Sequence, residues 1–359
     1  MIAKKHSTPP KARFAHLDLL RGIAACSVAW FHIVQNNPRA IHNDTIYHVL
    51  DASSEYGFLG VSLFFIISGF IIPHSMANCG YRVWDYFRFL WKRLLRLQLP
   101  FYASILIALI VAYAAPYFPG FAGEKPQFTW LQVFANALYL IPFTGHEWIM
   151  GIYWTLSVEF QYYLIIGLLM PVFLEWRQAW TLSILLFLDL LPFCSHLPRL
   201  HTVEHAYFRE MSCFPHSGAF FTVGILLWLF FSKRLGLNLF LGMMSVTLGC
   251  IALQYSFPYV VAVILAIPIF VWSPPIPKIF IWLGTISYSI YLVHYVVGMR
   301  AARLLLRFCH SDGESIFAYL GALAISIACS ALFFWIIERP ALHLSGKVRF
   351  GLKREKLNS

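Results

Sequence analysis

Stretches of about 20 apolar residues recur in this chain from near residue 17 to near residue 337. A helix rises about 1.5 Å per residue, so one such stretch crosses a hydrocarbon layer about 30 Å thick. The strands of a membrane β-barrel alternate in hydropathy and run only about 10 residues, which does not fit these stretches. The recurrence therefore predicts a bundle of membrane helices and excludes a single soluble core.

The composition agrees with this interpretation. Of the 359 residues, 59% are hydrophobic and only 12% are charged, whereas a soluble domain carries about 25% charged residues. We predict an all-α, polytopic membrane bundle with about ten transmembrane helices. The segment from Trp130 to Phe143 is shorter and is predicted to be interfacial or partly re-entrant. The predicted spans are 17–36, 57–76, 95–115, 152–174, 178–194, 214–231, 237–254, 257–272, 278–298 and 316–337.

The chain is predicted to form one membrane domain, residues 17–340, between basic tails at 1–16 and 341–359. We expect no cleavable signal peptide, because the first apolar stretch is long enough to span and no small-residue cleavage site follows it. The seven cysteines are scattered, so we interpret them as small apolar fillers.

The distribution of Lys and Arg predicts an orientation. With the amino terminus in the cytoplasm, 20 of the 27 basic residues fall inside and seven outside. The positive-inside rule then favours two cytoplasmic termini and an even number of spans. The net charge of +11 is a signal of topology, and no nucleic-acid partner is expected. The seven outer residues are Arg39, Lys125, Arg199, Arg209, Arg300, Arg303 and Arg307.

The first span contains two ionisable residues on one face. His32 follows Arg21 by 11 residues, which is about 16 Å along a helix and three turns plus about 20° around it. Asp18 precedes Arg21 by three residues and can pair with it. Histidine suits proton transfer near neutral pH. A salt-bridged topology anchor at Arg21 and a hydrogen-bonded core histidine at His32 are the alternatives.

The fourth span carries Glu159, six residues after Tyr153. In a helix that enters from outside, this carboxylate is expected about 10 Å below the outer surface, at the depth of His32. It could orient His32 and stabilise its charged form. A structural ion pair or a protonated acid is the alternative.

A basic cluster precedes the third span. Arg88, Lys92 and Arg96 share a helical face, and Arg93 lies three residues before Arg96. Arginine forks match phosphate groups bidentately. The cluster therefore predicts a phosphate site, with anchoring to lipid headgroups as the alternative.

Three features near the outer ends of the spans are more ambiguous. His294, with Tyr288 and Tyr291 at helical spacing, could complete a polar outer site or belong to an interfacial aromatic belt. The arginines at 300, 303 and 307 form a stripe that could hold an anionic acceptor or simply face solvent. Residues 201–205 match the H-x-x-E-H zinc pattern, but this spacing alone is weak evidence for a metal site.

In this order, several segments resemble the acyltransferase-3 family of integral membrane acyltransferases. The family's Arg-x10-His pattern matches Arg21 and His32, its Arg-x-x-Arg pattern matches Arg93 and Arg96, and its acidic residue in helix four matches Glu159. The segments are LDLLRGIAACSVAWFH, GVSLFFIISGFII, WKRLLRLQLPFY, YWTLSVEFQYYL, LGTISYSIYLVH and IERPA.

The resemblance implies transfer of an acyl group, usually acetyl, from acyl-CoA to a hydroxyl of a cell-envelope glycan, in the inner membrane of a bacterium. It implies no metal; membrane lipids, a glycan or lipid-linked glycan, and the glycan-assembly machinery are the partners considered. A fused extracytoplasmic domain is not expected. Ser62 departs from the residue that many members carry in GVxLFF. The predicted sites are His32 and Glu159 for catalysis, Arg21, Arg93 and Arg96 for acyl-CoA, and Trp154, Tyr288 and His294 for the acceptor.

Two other functions remain open from the sequence. A transporter or flippase could relay protons through His32 and Glu159, although no inverted repeat is visible. A non-catalytic scaffold for glycan assembly is the third possibility.

Overall fold

The structure, a computed structural model, describes residues 14–37, 41–117, 125–175, 178–194, 211–271 and 275–350. Within these ranges the regular secondary structure is helical, which confirms the predicted all-α class. The α-helices are α1 (Ala15–Gln35), α2 (Asp44–Glu55), α3 (Gly60–Asn78), α4 (Tyr86–Ala114), α5 (Trp130–Ala137), α6 (Trp154–Glu175), α7 (Gln178–Cys194), α8 (Phe214–Phe231), α9 (Leu237–Gln254), α10 (Phe257–Val271), α11 (Lys278–Thr285), α12 (Ser287–Leu306), α13 (Asp312–Phe333) and α14 (Arg339–Lys347).

Eight helical segments of the described chain are long and apolar enough to cross a membrane. Each overlaps one of the predicted spans. The two remaining predicted spans correspond to the shorter apolar helices α7 and α10, each of which contains an internal proline, Pro192 or Pro268. The chain is therefore a multi-pass membrane protein, whereas the number of crossings and the orientation stay predictions.

Helix α4 differs from its predicted span, because it begins at Tyr86 and includes the whole basic cluster. Between Tyr86 and Leu99 the sequence contains neither glycine nor proline, so nothing interrupts the helix. Its 29 residues are about 44 Å long, well beyond the thickness of the hydrocarbon core. The arginines are thus fixed rigidly to a membrane helix and do not lie on a separate segment.

The predicted ninth and tenth spans are also modified. The ninth is broken at Ile286, which separates α11 from α12. The tenth continues through a π-helical turn, Phe334–Glu338, into α14. Such turns shift the direction of the side chains that follow, and this one carries the buried acid Glu338.

Two close helix contacts set the positions of the elements around the site. A Cβ atom at Gly224 of α8 would overlap the carbonyl oxygen of Ile66, and one at Gly284 of α11 would overlap that of Asp18. Small residues of this kind let membrane helices approach backbone to backbone. Helix α1 consequently lies between α3 on one side and α11 and α12 on the other, and both Arg21 and His32 lie on α1.

Helix α5 falls in the segment for which an interfacial or re-entrant position is predicted. Its eight residues are too few to span a bilayer. Trp130, Leu131 and Phe134 expose much of their apolar surface, as expected of a short helix that lies against lipid.

Candidate active site

The first of two neighbouring cavities, here called the arginine cavity, is lined by α1, α3, α4, α6 and α12. It has a volume of about 90 Å³. Arg21 reaches it from α1, and Arg93 and Arg96 reach it from α4. The structure thus brings the three predicted phosphate ligands together, although they come from two parts of the chain.

The three guanidinium groups make no hydrogen bond and no ion pair with the part of the chain that the structure describes. Arg93 stacks over the rings of Phe89 and Tyr163, at 5.4 and 5.6 Å from their centroids. Its Nε atom is buried without a hydrogen-bond partner. Buried donors are normally satisfied, so this cluster of cations has the chemistry of an anion site.

Glu159 lies in the arginine cavity, and this differs from the position expected beside His32. Its Oε1 atom accepts hydrogen bonds from Ser68 at 3.0 Å and from Tyr163 at 2.5 Å. The reason is that the residues before α6 are themselves buried, with Ile152 and Tyr153 at 3% and 0% exposure. Helix α6 therefore begins inside the helix bundle, and Glu159, further along this helix, lies beside the arginines and not beside His32.

A second buried acid, Glu338, was not among the predicted site residues. Its Oε2 atom accepts a hydrogen bond of 2.5 Å from Ser289, and it lies within electrostatic range of Arg21 and Arg96. The available signal was an acid at the end of an apolar span, in the IERPA segment. Its approach to the arginines depends on the π-helical turn, which the sequence pattern does not reveal.

The second cavity, here called the histidine cavity, has a volume of about 460 Å³. His32 lines it from α1, Asn36 from the residue that follows α1, and Trp154 from the start of α6. Ser62, the position that departs from the GVxLFF pattern, lies in its wall. The remaining lining is mostly aromatic and includes Phe31, Phe58, Phe220, Tyr255, Tyr259, Tyr291 and Tyr295.

The Nδ1 edge of the His32 ring faces the ring of His294. The Nδ1 atom of His32 lies 3.2 Å from Nε2 of His294 and 3.0 Å from the carbonyl oxygen of Val28. The ring of Tyr295 packs edge-on against His32, with 5.3 Å between centroids. His32 is therefore held on one edge, while its other nitrogen has no partner in the described chain.

The three residues predicted to bind the acceptor separate in the structure. Trp154 lines the histidine cavity, whereas Tyr288 lines the arginine cavity and donates a hydrogen bond of 2.9 Å to the carbonyl of Leu97. His294 is fully buried behind His32, so its ring is closed to an acceptor. Tyr288 and His294 lie on the same helix, α12, and a spacing of six residues turns their side chains about 240° apart, onto different faces of it.

The two cavities share part of their walls, namely Val61, Phe65 and Tyr291. The Tyr291 hydroxyl donates to the carbonyl of Ile152 at 2.9 Å and lies 2.7 Å from Oγ1 of Thr155. Val61, Phe65 and Tyr291 therefore form the partition between the two cavities. Arg21 and His32 flank this partition on the same helix, about 16 Å apart along its axis.

The arginine stripe of α12 lies near the histidine cavity without lining it. Arg300 donates to the carbonyl of Val296 at 3.0 Å, and Arg303 donates to that of Asn36 at 3.4 Å. The H-x-x-E-H segment at 201–205 lies outside the described residues. Within them, no group of three or more His, Cys, Asp or Glu side chains is placed to hold a metal ion.

Comparison with known proteins decides the family. A family model described as an acyltransferase domain matches residues 14–335, which include both cavities. The chain belongs to the acyltransferase-3 family. This confirms the resemblance based on six short segments.

Among curated proteins, the chain is similar to Nodulation protein 10 of Rhizobium leguminosarum bv. viciae. The two are 26% identical over 199 residues, which cover 51% of this chain and 50% of that protein. The chain thus matches about half the length of this family member. No solved structure matches it.

Proposed function

We propose that this protein is a membrane acyltransferase that moves an acetyl group from acetyl-CoA to a hydroxyl of a cell-envelope glycan. The observation that carries the proposal is the shared wall of the two cavities. Unpaired guanidinium groups line one of them, and an imidazole with an open nitrogen lines the other. Membership of an acyltransferase family supports the same reaction type.

The arginine cavity fits the donor. CoA carries several phosphate groups, and unpaired arginines bind phosphate through charge-assisted hydrogen bonds. A volume of about 90 Å³ is too small for a nucleotide, so only the end of the narrow pantetheine arm would enter the cavity. The phosphates would therefore stay near Arg93 and Arg96, while the thioester points toward Tyr291.

The histidine cavity fits a sugar acceptor. Its volume of about 460 Å³ is in the range of small-molecule sites, and aromatic walls with a few polar groups are typical of such sites. The apolar faces of a pyranose can pack on Trp154 and the tyrosines, while Asn36 and Ser62 can bond its hydroxyls. A hydroxyl placed there would face His32.

The reaction needs one base at this point. Nε2 of His32 takes the proton of the acceptor hydroxyl as the oxygen attacks the thioester carbonyl. The carbon–sulfur bond then breaks, the CoA thiolate takes up the proton, and an ester remains on the sugar. Alternatively, Nε2 attacks first and carries the acyl group to the hydroxyl in a second step. Glu159 in the arginine cavity and Glu338 near it balance part of the arginine charge.

The location follows from the orientation predicted by the Lys and Arg distribution. With both termini in the cytoplasm, the arginine cavity faces the cytoplasmic pool of acetyl-CoA and the histidine cavity faces outward. The bacterial source of the similar nodulation protein supports the inner membrane of a bacterium as the location.

The proposal is tested with purified protein in proteoliposomes. Labelled acetyl-CoA is supplied with a panel of methyl glycosides, and both CoA release and labelled sugar are measured. We expect CoA release that depends on a glycoside. His32→Gln should lower kcat by about 100-fold or more, because general base catalysis contributes about 100- to 10,000-fold, while acetyl-CoA binding is retained. Glycoside uptake or proton flux without CoA release would instead identify a transporter.

A further inference from the structure

His294 is fully buried. Its ring contacts that of His32, although the two residues are 262 positions apart in the sequence. The two ring centroids are 5.1 Å apart. The contact depends on a close approach of α1 and α12 one turn further along, where a Cβ atom at Gly298 would lie 2.9 Å from Cδ1 of Ile33. The fold thus positions a second imidazole behind the first.

The hydrogen bonds of His294 define which of its nitrogens carries a proton. Its Nδ1 atom lies 3.0 Å from the carbonyl oxygen of Ile290. A carbonyl oxygen only accepts, so Nδ1 must donate. A charged ring would be costly at this buried position, so the ring is neutral and Nε2 holds a lone pair.

The same reasoning applies to His32. Its Nδ1 atom faces two groups, the Val28 carbonyl and Nε2 of His294, and both are acceptors. The proton of the neutral His32 ring is therefore on Nδ1. The other nitrogen, Nε2, is not among the buried unpaired atoms, and the ring lines the histidine cavity, so its lone pair is open to a substrate.

We propose that His294 is a positioning residue. By accepting the hydrogen bond of His32 Nδ1–H, it holds the His32 ring with the basic Nε2 directed into the histidine cavity. This inference rests on the proposed role of His32 in acyl transfer, and it assigns His294 a task other than acceptor binding. No covalent step involves His294.

The choice of an imidazole as partner has a physical reason. When Nε2 of His32 takes up a proton, the ring becomes cationic and its Nδ1–H becomes a stronger donor. The hydrogen bond to His294 is therefore strongest in the charged state that the reaction forms, as in triads where a third group orients the base. A neutral partner gives this support without burying a permanent charge in the resting protein.

Matched variants test the role in turnover. His294→Leu removes the acceptor, whereas His294→Gln can place an amide oxygen near the position of Nε2. With acetyl-CoA and a methyl glycoside that supports turnover, we expect His294→Leu to lower kcat about tenfold or more and to leave the KM for acetyl-CoA within about twofold. His294→Gln should recover most of this loss. His74→Leu, at a half-buried histidine outside both cavities, is the control and should match the wild type.

Nitrogen-15 NMR of histidine-labelled protein in lipid bilayers tests the hydrogen bond itself, even if His294→Leu fails to fold. We expect a protonated Nδ1 and an unprotonated Nε2 on His32, with a correlation between His32 Nδ1 and His294 Nε2. His32→Gln assigns the signals. A His32 ring protonated at Nε2, or equal kcat values for His294→Leu and the wild type, would overturn the inference. Absence of CoA release by the wild type would overturn the proposed function and leave the NMR result to decide the hydrogen bond.

Discussion

The arginine cavity and the histidine cavity lie side by side but are built in opposite ways. In the first, three guanidinium groups have no hydrogen bond and no ion pair within the described chain, and two acids lie nearby. In the second, neutral rings are held by hydrogen bonds to one another and to the backbone. The first has the properties of a site that binds an anionic ligand. The second has those of a site in which a base is already oriented for proton transfer. Binding of the donor and chemistry on the acceptor are therefore expected to respond to different substitutions.

Substitution of the arginines of α4 is expected to give the largest difference between the effect on KM and the effect on kcat. Exchanging Arg93 and Arg96 together for glutamine removes two charge-assisted hydrogen bonds, each worth about 1.5–3 kcal/mol. The KM for acetyl-CoA should rise by about 100-fold or more, and kcat at saturation should stay within about threefold. The control is Arg88→Gln on the same helix, because Arg88 is exposed and paired with Asp85 at 3.7 Å. A fall in kcat at unchanged KM would show that donor binding and catalysis are not separated between the two cavities.

The next largest effect is expected when a residue in the partition between the cavities is enlarged. Val61 borders both of them, so Val61→Trp should block passage of the acyl group while leaving the anion site intact. We expect kcat to fall about tenfold or more and the Kd for acetyl-CoA to change less than about threefold. Leu106→Trp, at an exposed position of α4, controls for the added bulk. Full activity of Val61→Trp would mean that the acyl group reaches His32 by another path.

The smallest effect is expected when Glu159 loses the hydrogen bond from Tyr163. Tyr163→Phe keeps the ring beneath Arg93 but removes the hydrogen bond to Glu159. One neutral-to-charged hydrogen bond of about 1.5 kcal/mol should raise the KM for acetyl-CoA roughly tenfold with little change in kcat. Tyr81→Phe, which removes a buried hydrogen bond to the Gly167 carbonyl, is the control. If kcat falls instead, Glu159 acts with His32, as its membrane depth first indicated.

The two cavities also differ in how far the sequence predicted them. Helical periodicity was enough to relate Arg21 to His32, because both lie on one uninterrupted helix. The pairing of Arg93 and Arg96 follows from their spacing on another long helix, α4. These relations are local, and a period of 3.6 residues determines them.

The relations that could not be predicted depend on helix entry points and on long-range contacts. Glu159 lies in the arginine cavity and not beside His32, because the buried turn at Gly151–Tyr153 places the start of α6 inside the helix bundle. Glu338 joins the arginines through a π-helical turn, and His294 reaches His32 through the contact at Gly298. None of these features leaves a periodic pattern in the sequence, so only the packed helices reveal them.

The central claim is that the two cavities form one path across the membrane, with the donor at the arginines and the acceptor at His32. The most direct measurement uses proteoliposomes with labelled acetyl-CoA outside and a methyl glycoside trapped in the lumen. The account predicts labelled glycoside in the lumen and free CoA outside, and neither with His32→Gln. Labelled glycoside that forms only when both substrates are on the same side would contradict it.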